Sequence, residues 1–294
     1  MTPAPRISAP ANAVVTLDGM GLAERREPEL RARAARVRGR RGRVPTLAII
    51  AFADRFGPPP HVARKVHACA AVGVDVVQLV LRTGTTPDEA RRAMQRLAGD
   101  PRKPVDAIFL QFPYPDDSFA EVMEPGIPEA LDVDVMSPGR VRQYLDDAES
   151  LPPVTVSAAL ELVRAHDVNI AGRTGLVVAH RSPFSKMFRL AFARRGAAML
   201  ALVPPDSPDL AERVRRASLV IVAAGVPGLV RSVDIAPGAV AIDVGYFNPR
   251  GRGDIDTSGG VGHLAAIAAV PGSIGPMTVS CLIERTILLA EAQG

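Results

Sequence analysis

Short apolar segments alternate with amphipathic segments along most of this 294-residue chain, and this alternation limits the folds open to it. Residues 45–52 form a continuous apolar run, which is typical of a strand covered on both faces of a parallel sheet. Further strands are predicted at residues 74–81 and 107–111, and helices at residues 61–72 and 86–98. Strands that alternate with helices of about a dozen residues indicate βαβ units.

A second alternation follows a proline-rich stretch, residues 116–153, that we expect to be rich in loops. Its βαβαβ order is typical of doubly wound sheets, which bind dinucleotides at their switch point. We therefore place a boundary between two α/β domains near Leu151. The elements expected after it are helix 157–166, strand 175–179, helix 184–195, strand 198–203, helix 209–216, strands 219–223 and 240–244, and a final helix 278–292.

The composition argues against membrane, secreted and metal-dependent classes. The chain is 47 % hydrophobic, enough for a substantial core, but no apolar run of 18 residues is free of charges or Gly/Pro breaks. Residues 1–15 lack the basic start and apolar centre of a secretory signal. Cys69 and Cys281 have no metal-ligand spacing, so we expect two reduced, buried thiols in a cytoplasmic protein, with no disulfide and no metal site.

A basic segment precedes the first predicted strand. Residues 22–43 contain nine arginines and three glutamates, whereas the net charge of the whole chain is +4. Such a segment is either an arm that binds nucleic acid or one solvated face of a helix. Leu30, Ala34 and Val37 recur at helical spacing, and no aromatic residue is interleaved to stack on bases. The pattern favours a helix, and no nucleic-acid partner is expected.

Two polar residues are predicted to lie at the carboxyl edge of the first sheet, where ligands of parallel sheets bind. Lys65 lies on the helix that follows the first strand, and burial there would lower its pKa enough for acid–base chemistry. A solvated lysine is the alternative. Gln111 ends an apolar strand, so its amide either satisfies local backbone or faces a ligand.

Two loops carry further candidate groups. Asp132 and Asp134 are two residues apart, which in an extended segment directs their side chains to opposite sides. One could cap the chain while the other faces a ligand, or both could be surface residues. Residues 271–278 hold two glycines and two prolines, which predict a loop of fixed shape just before the last helix.

The order of these segments resembles that of the methylenetetrahydrofolate dehydrogenase/cyclohydrolase family along nearly the whole chain. The similarity to VPGGVGPMT at residues 270–278 is the most specific. The other matching segments are LDG-x-x-LA at residues 17–23, HV-x-x-K-x-x-A at 61–68, LQFPYP at 110–115, DVD at 132–134, AAGVP at 223–227 and IDVG at 242–245.

The resemblance implies a fold and a reaction. The fold would comprise a folate-binding catalytic domain, residues 1–150 with 278–294, and a Rossmann-type NAD(P)-binding domain, residues 151–277. The last helix would pack back on the first domain. The reaction would be oxidation of 5,10-methylenetetrahydrofolate with NADP, followed by hydrolysis of the methenyl product to 10-formyltetrahydrofolate, in a cytoplasmic homodimer that binds tetrahydrofolate substrates and neither nucleic acid nor membrane.

The resemblance also implies residue roles. Lys65 and Gln111 would flank the one-carbon bridge of the folate, with Lys65 moving a proton, and Asp134 would hold the pterin ring. The substrate-binding residues would include His61, Pro271, Gly272, Gly275 and Pro276. The cofactor-binding residues would be Ala179, His180, Arg181, Ser182, Ala224, Gly225, Gly245 and Tyr246.

The chain departs from the family pattern at several positions. The family's nucleotide-binding turn, GRSxxVGxP, is AHRSPFSKM at residues 179–187, so both glycines that let backbone approach a phosphate are absent. His61 replaces a tyrosine, and Val135 replaces the glycine of DVDG. Three alternatives to the bifunctional enzyme therefore stay open: a cyclohydrolase without dehydrogenase activity, a non-catalytic folate- or nucleotide-binding protein, and a different nicotinamide oxidoreductase of the same architecture.

Overall fold

The chain forms two compact units, which are defined by their internal contacts. The large-sheet unit contains the described residues up to Met20 and Ala159–Gly275, and the small-sheet unit contains Gly21–Ala158 and residues 276–293. The computed structural model describes residues 13–53, 60–82, 84–180, 183–245 and 251–293.

Strands and helices alternate in the order that the sequence predicts. The strands are β1 (Val15–Thr16), β2 (Thr46–Ala53), β3 (Asp75–Arg82), β4 (Ala107–Leu110), β5 (Thr174–Ala179), β6 (Ala198–Val203), β7 (Leu219–Ala223), β8 (Val230–Arg231), β9 (Val240–Asp243), β10 (Ile255–Asp256) and β11 (Ala266–Ala268). The helices are α1 (Gly19–Arg41), α2 (Pro60–Val72), α3 (Pro87–Ala98), α4 (Asp117–Met123), α5 (Pro138–Asp146), α6 (Val154–Ala165), α7 (Pro183–Arg194), α8 (Leu210–Arg216) and α9 (Ile274–Ala292).

The small-sheet unit is built on three parallel strands in the order β3-β2-β4. The central strand β2 pairs with β3 from Thr46 to Ala53 and with β4 from Leu47 to Ile50, so its backbone is hydrogen-bonded on both edges. Ala48 and Ile50 pack on one face against residues of α3 and α4, and Leu47 and Ile49 are buried on the other. Burial on both faces explains why this segment is apolar at every position.

The large-sheet unit holds six parallel strands in the order β1-β11-β9-β7-β5-β6. The chain runs outward from β5 to β6 and then returns to the opposite side of β5 to form β7, which places a topological switch point between β5 and β7. The register there pairs Gly175 with Leu219 and Ala179 with Ala223, so the two strands end side by side. This doubly wound arrangement confirms the predicted α/β class.

The structure corrects three details of the predicted organisation. Strand β1 belongs to the large-sheet unit, because Val15 donates to the Ala265 carbonyl and Leu17 to that of Ile267. A two-residue strand is too short to show a period in the sequence. Residues 116–153 contain two helices, α4 and α5, that the prediction did not define, and the last helix begins at Ile274 and not at residue 278.

The arginines of the basic segment have carboxylate partners within the small-sheet unit. Arg26 pairs with Glu284 at 2.6 Å and Arg33 with Glu291 at 2.7 Å, both on α9. Two further arginines, at positions 41 and 43, donate to the fully buried carboxylate of Asp106. These pairs hold α1 against α9 and the start of β2, which gives much of the positive charge a structural role.

The two thiols, Cys69 and Cys281, are both buried and unoxidised. In the described ranges no helix combines the length and apolar character needed to cross a membrane. The same ranges contain no group of three or more His, Cys, Asp or Glu side chains suited to a metal ion.

Candidate active site

A buried lysine and a glutamine meet at the carboxyl edge of the small sheet. Lys65, on α2, is 8 % exposed, and its Nζ donates to Oε1 of Gln111 at 2.8 Å. Gln111 follows β4, and its backbone N–H extends the ladder by donating to the Ile50 carbonyl. Its side-chain amide donates to the Phe112 carbonyl at 2.7 Å, which fixes the orientation of the oxygen that Lys65 contacts. The alternative of a solvated lysine is therefore wrong.

Burial lowers the pKa of Lys65 to about 8, and the nearby Asp134 carboxylate acts in the opposite direction. The ammonium also lies 5.3 Å from the centroid of the Phe109 ring, within the range of a cation–π contact. A lysine with a pKa near 8 is populated in both protonation states around neutral pH. It can therefore give up or take a proton, which a solvated lysine rarely does.

The two aspartates of the DVD segment have separate environments. Asp132 is fully buried and accepts from the backbone N–H groups of Met136 and Ser137 and from the Ser137 hydroxyl, so it caps the loop that follows. Asp134 accepts one hydrogen bond, from the Val154 N–H at 2.7 Å. Burial raises the pKa of Asp134 to about 7, although that hydrogen bond and the charge of Arg285 oppose the rise.

Arg285 closes this loop from α9 and was not singled out by the sequence analysis. It is 5 % exposed and donates to the Pro152 carbonyl at 2.6 Å and to Oγ of Ser157 at 2.9 Å. It also reaches the carbonyl of Val133 at 3.4 Å. The signal that could have identified it is an arginine within the largely apolar run of α9, between Ile283 and Ile287 at neighbouring turns of the helix.

Val135 adopts the left-handed backbone conformation that its position in the DVD loop requires. Its φ is 58°, and its side chain is buried. Glycine adopts such angles freely, whereas a β-branched residue does so against steric resistance. The valine at the position of the family's glycine therefore keeps a left-handed backbone at the cost of local strain.

His61 lies one helical turn before Lys65. Burial, together with the charges of Lys65 and Arg64, lowers the pKa of His61, so the ring is neutral at pH 7. Its Nε2 is buried and has no hydrogen-bond partner among the described residues. This nitrogen is thus free to accept or donate a hydrogen bond to a bound molecule.

The Pro271–Pro276 segment lies at the start of α9, where the expected loop is shorter than predicted. The Met20 N–H donates to the Gly272 carbonyl at 2.8 Å, and Oγ of Ser273 donates to the Leu17 carbonyl at 2.6 Å. Gly272 has a φ of 110°, which favours glycine. Gly275 and Pro276 lie in the first turn of α9 and not in a loop.

The predicted cofactor-binding residues that the structure describes lie at one edge of the large sheet. Ala179 ends β5 and is followed by the exposed His180, Ala224 and Gly225 follow β7, and Gly245 follows β9. Since all these strands are parallel, their carboxyl ends meet at the switch point. The remaining predicted cofactor-binding residues, Arg181, Ser182 and Tyr246, lie outside the described residues.

Small residues leave the backbone accessible at this edge. Gly225 has a φ of +69°, and apart from its chain neighbours no atom of the described residues lies within 4 Å of the position that a Cβ would take. The small Ala179 side chain ends the neighbouring strand. A close approach of ligand to backbone at a switch point is how doubly wound sheets hold dinucleotides.

A doubly wound sheet with an open loop at its switch point, and a second unit with a buried lysine–glutamine pair, define a two-domain α/β enzyme that uses a nicotinamide dinucleotide. Residues 17–134 match the family model "Tetrahydrofolate dehydrogenase/cyclohydrolase, catalytic domain", and residues 153–294 match that of the "NAD(P)-binding domain" of the same family. The chain belongs to the tetrahydrofolate dehydrogenase/cyclohydrolase family, which confirms the resemblance found in the sequence.

Relatives match over almost their whole length. The chain is 32 % identical over 277 residues to bifunctional protein FolD 1 of Streptomyces avermitilis, covering 94 % of this chain and 95 % of that protein. It is 30 % identical to the Cellvibrio japonicus protein FolD, covering 94 % and 97 %. The crystal structure of Trypanosoma brucei FolD, complexed with NADP and an inhibitor, superimposes with a TM-score of 0.86 at 30 % identity, covering 96 % of this chain and 98 % of that one.

Proposed function

We propose that this protein oxidises 5,10-methylenetetrahydrofolate to 5,10-methenyltetrahydrofolate with NADP and hydrolyses the product to 10-formyltetrahydrofolate. The observation that carries the proposal is the buried Lys65 Nζ held at 2.8 Å by Gln111, in the part of the chain that matches the family's catalytic domain. Hydrolysis of the methenyl group requires a group that moves protons near neutral pH. A lysine with its pKa lowered to about 8 meets that requirement.

Lys65 is assigned the proton-transfer role, and Gln111 orients it. In its charged form the Lys65 ammonium polarises the one-carbon bridge, and in its neutral form it accepts a proton from the attacking water. Because Oε1 of Gln111 accepts from Nζ, that nitrogen is held in one position in both its charged and its neutral form. No metal is required, since the methenyl carbon is already electrophilic.

Asp134 is assigned to the pterin ring of the folate. A carboxyl group with a pKa of about 7 is present at neutral pH as both acid and carboxylate, so it can donate or accept a hydrogen bond. Its hydrogen bond from Val154 and the neighbouring Arg285 fix its place. His61, Pro271, Gly272, Gly275 and Pro276 are proposed to orient the substrate, which lowers the entropic part of the barrier.

NADP is assigned to the carboxyl edge of the large sheet. When bound, NADP would supply the acceptor for the hydride of the methylene carbon. Ala179, Ala224, Gly225 and Gly245 would let the dinucleotide approach the backbone, and Tyr246 is assigned to cofactor binding by the family resemblance alone. His180 and Arg181, with the Ser182 hydroxyl, would attract its phosphates in place of the missing glycines.

We further propose a cytoplasmic homodimer that binds tetrahydrofolate substrates, as the family resemblance implies. The two buried thiols, Cys69 and Cys281, support a reducing compartment. Light scattering after size-exclusion chromatography should give twice the 31.0 kDa chain mass. A mass of one chain at micromolar concentration would contradict the dimer.

The proposal is tested with purified protein, methylenetetrahydrofolate and NADP, followed at wavelengths that separate NADPH from methenyltetrahydrofolate. Cofactor reduction that is lost in Lys65→Met would support the full activity. Hydrolysis of methenyltetrahydrofolate without NADP reduction would replace it by a cyclohydrolase. Binding of folate with neither reaction would leave a binding protein, and NADP binding with indifference to folates would indicate another oxidoreductase.

A further inference from the structure

Two buried carboxylates lie at the carboxyl edge of the large sheet, beside the loops assigned to the cofactor. Asp254 is 0 % exposed and Asp243 is 1 % exposed. Across the described ranges, neither forms an ion pair with an arginine or a lysine. Their hydrogen bonds go instead to backbone N–H groups, which can stabilise a carboxylate in the absence of a full counter-charge.

The two aspartates are linked, because Asp243 holds the backbone from which the side chain of Asp254 extends. Asp243, at the end of β9, accepts from the N–H groups of Gly245 and Asp254 at 3.0 Å each and from that of Ile255 at 2.9 Å. The backbone of Asp254 is thereby fixed by Asp243. The side chain of Asp254 is therefore presented from a rigid support.

Asp254 in turn holds the loop after β7. Its Oδ2 accepts from the N–H groups of Ala224 at 2.6 Å and Gly225 at 3.1 Å, and its Oδ1 accepts from that of Val226 at 2.9 Å. Three successive amides thus converge on one carboxylate. Charge-assisted hydrogen bonds of this kind are about twice as strong as neutral ones.

Two glycines make room for these carboxylates. A Cβ on Gly253 would overlap the Asp243 carboxylate, and a Cβ on Gly245 would overlap that of Asp254. Neither glycine has a positive φ. These two positions are thus restricted by space and not by backbone conformation.

The direction of these backbone N–H groups determines what the loop can offer to a ligand. Because the N–H groups of residues 224–226 are bonded to Asp254, they are not available to a phosphate. The open side of the loop is instead the Cα face of Gly225, where a Cβ would meet no atom of the described residues within 4 Å beyond its chain neighbours. The loop therefore offers a ligand its shape and not its hydrogen-bond donors.

We propose that Asp254, supported by Asp243, is a positioning residue for the dinucleotide, since it holds the Ala224–Val226 loop in the conformation that receives the cofactor. This inference rests on the use of NADP proposed above. The affinity for NADP would thus depend also on Asp254, a carboxylate that does not itself touch the cofactor.

The test compares Asp254→Asn with Asp256→Asn by calorimetric titration of NADP. Asp256 is two residues further on and accepts from the Ser258 N–H, so it is a matched control that does not contact the loop. An amide offers one acceptor oxygen to three N–H groups, and we expect Asp254→Asn to weaken NADP binding about 10- to 100-fold. Asp256→Asn should stay within about twofold of wild type.

Hydrolysis of methenyltetrahydrofolate needs no dinucleotide and serves as the second readout. We expect it to be unchanged in Asp254→Asn, whereas a general loss of structure would reduce hydrolysis together with NADP affinity and would overturn the proposal. Equal NADP affinity in wild type and Asp254→Asn would overturn this inference but leave the proposed function intact. Failure of the wild type to bind NADP would contradict both.

Hydrogen exchange on the wild-type protein tests the same contact without a substitution, should Asp254→Asn not fold. The amides of Ala224, Gly225 and Val226 are expected to exchange slowly in the free protein, because each is bonded to a buried carboxylate. Rapid exchange of all three in the folded protein would contradict the proposal.

Discussion

The two candidate sites of this protein are built in opposite ways. In the small-sheet unit, long side chains converge, and the central contact is the hydrogen bond from Lys65 to Gln111. In the large-sheet unit, the loop proposed to receive the dinucleotide is held through its backbone N–H groups by Asp254, which Asp243 supports in turn. A site made of side chains can be recognised from its residue types. A site made of loop backbone depends instead on the buried side chains that fix the loop conformation. Substitutions should therefore affect the two sites differently.

The largest effect is expected from Lys65→Met. Loss of a general acid–base group typically slows a reaction about 10²- to 10⁴-fold, and we expect that loss for hydrolysis of methenyltetrahydrofolate. NADP affinity, measured by calorimetry, should not change. The matched control is Lys103→Met, which removes an exposed lysine of the same unit. A fall in NADP affinity of Lys65→Met would show that the two sites are not separable.

The second largest effect is expected from Gly253→Ala, which places a Cβ against the Asp243 carboxylate. Overpacking of this kind costs about 1–3 kcal/mol, measurable as the free energy of unfolding in urea. Gly262→Ala is the control, because no atom lies within 4 Å of its Cβ position and it should change stability by less than about 0.5 kcal/mol. Equal stability of the two variants would contradict the close packing around Asp243.

A loss of comparable size is expected from Arg285→Met, which removes the donor to the Pro152 carbonyl and the Ser157 hydroxyl. Carbonyl groups left without a buried partner cost about 1–3 kcal/mol, so urea unfolding should show a destabilised small-sheet unit. Because the charge of Arg285 also opposes the raised pKa of Asp134, that pKa should rise further in the variant. An unchanged pKa, followed by carboxyl NMR, would show that the two groups do not interact.

The smallest effect is a dependence of stability on pH. Burial raises the pKa values of Asp134 and Asp243 to about 7, above the value in the unfolded chain. Both groups bind protons more tightly in the folded state, so their contribution is complete at low pH and lost as the pH rises through about 7.

We therefore expect the free energy of unfolding to fall by about 1–2 kcal/mol per group between pH 5.5 and 7.5. Asp134→Asn should remove the share of that residue, because its amide oxygen can still accept from the Val154 N–H. A free energy of unfolding that rises over this window would contradict the assignment of both carboxyl groups.

The sequence predicts the framework well because long parallel strands leave a clear pattern. The run at β2 is apolar throughout because both faces are covered, and its bounds agree with the prediction within a residue or two. Strand β1 has two residues and no period, so it was not predictable, and the first residues were assigned to the other domain. The sequence does not predict helices α4 and α5, because the prolines that begin or flank them also indicate loops.

The residues of the candidate sites also differ in how far the sequence indicates them. The sequence predicts that Lys65 and Gln111 lie at the same edge of the small sheet, and their hydrogen bond agrees with that placement. The residue types alone leave a solvated lysine and an amide bonded to local backbone as alternatives. Arg285 has only its apolar neighbours on α9 as a signal, since its partners at Pro152 and Ser157 are more than 120 residues away along the chain. No sequence motif indicates Asp254 either. Its partners are three backbone N–H groups, and these do not depend on the type of residue that carries them.

The large sequence separation between Arg285 and its partners has a consequence for synthesis. Its contacts to residues 133, 152 and 157 cannot form until the ribosome has translated residue 285 itself. The loop that carries Asp134 therefore lacks its contacts with Arg285 while the segment of the large-sheet unit that precedes α9 is synthesised. A nascent chain that stops before α9 would carry Lys65 and Gln111 but would lack the closing arginine.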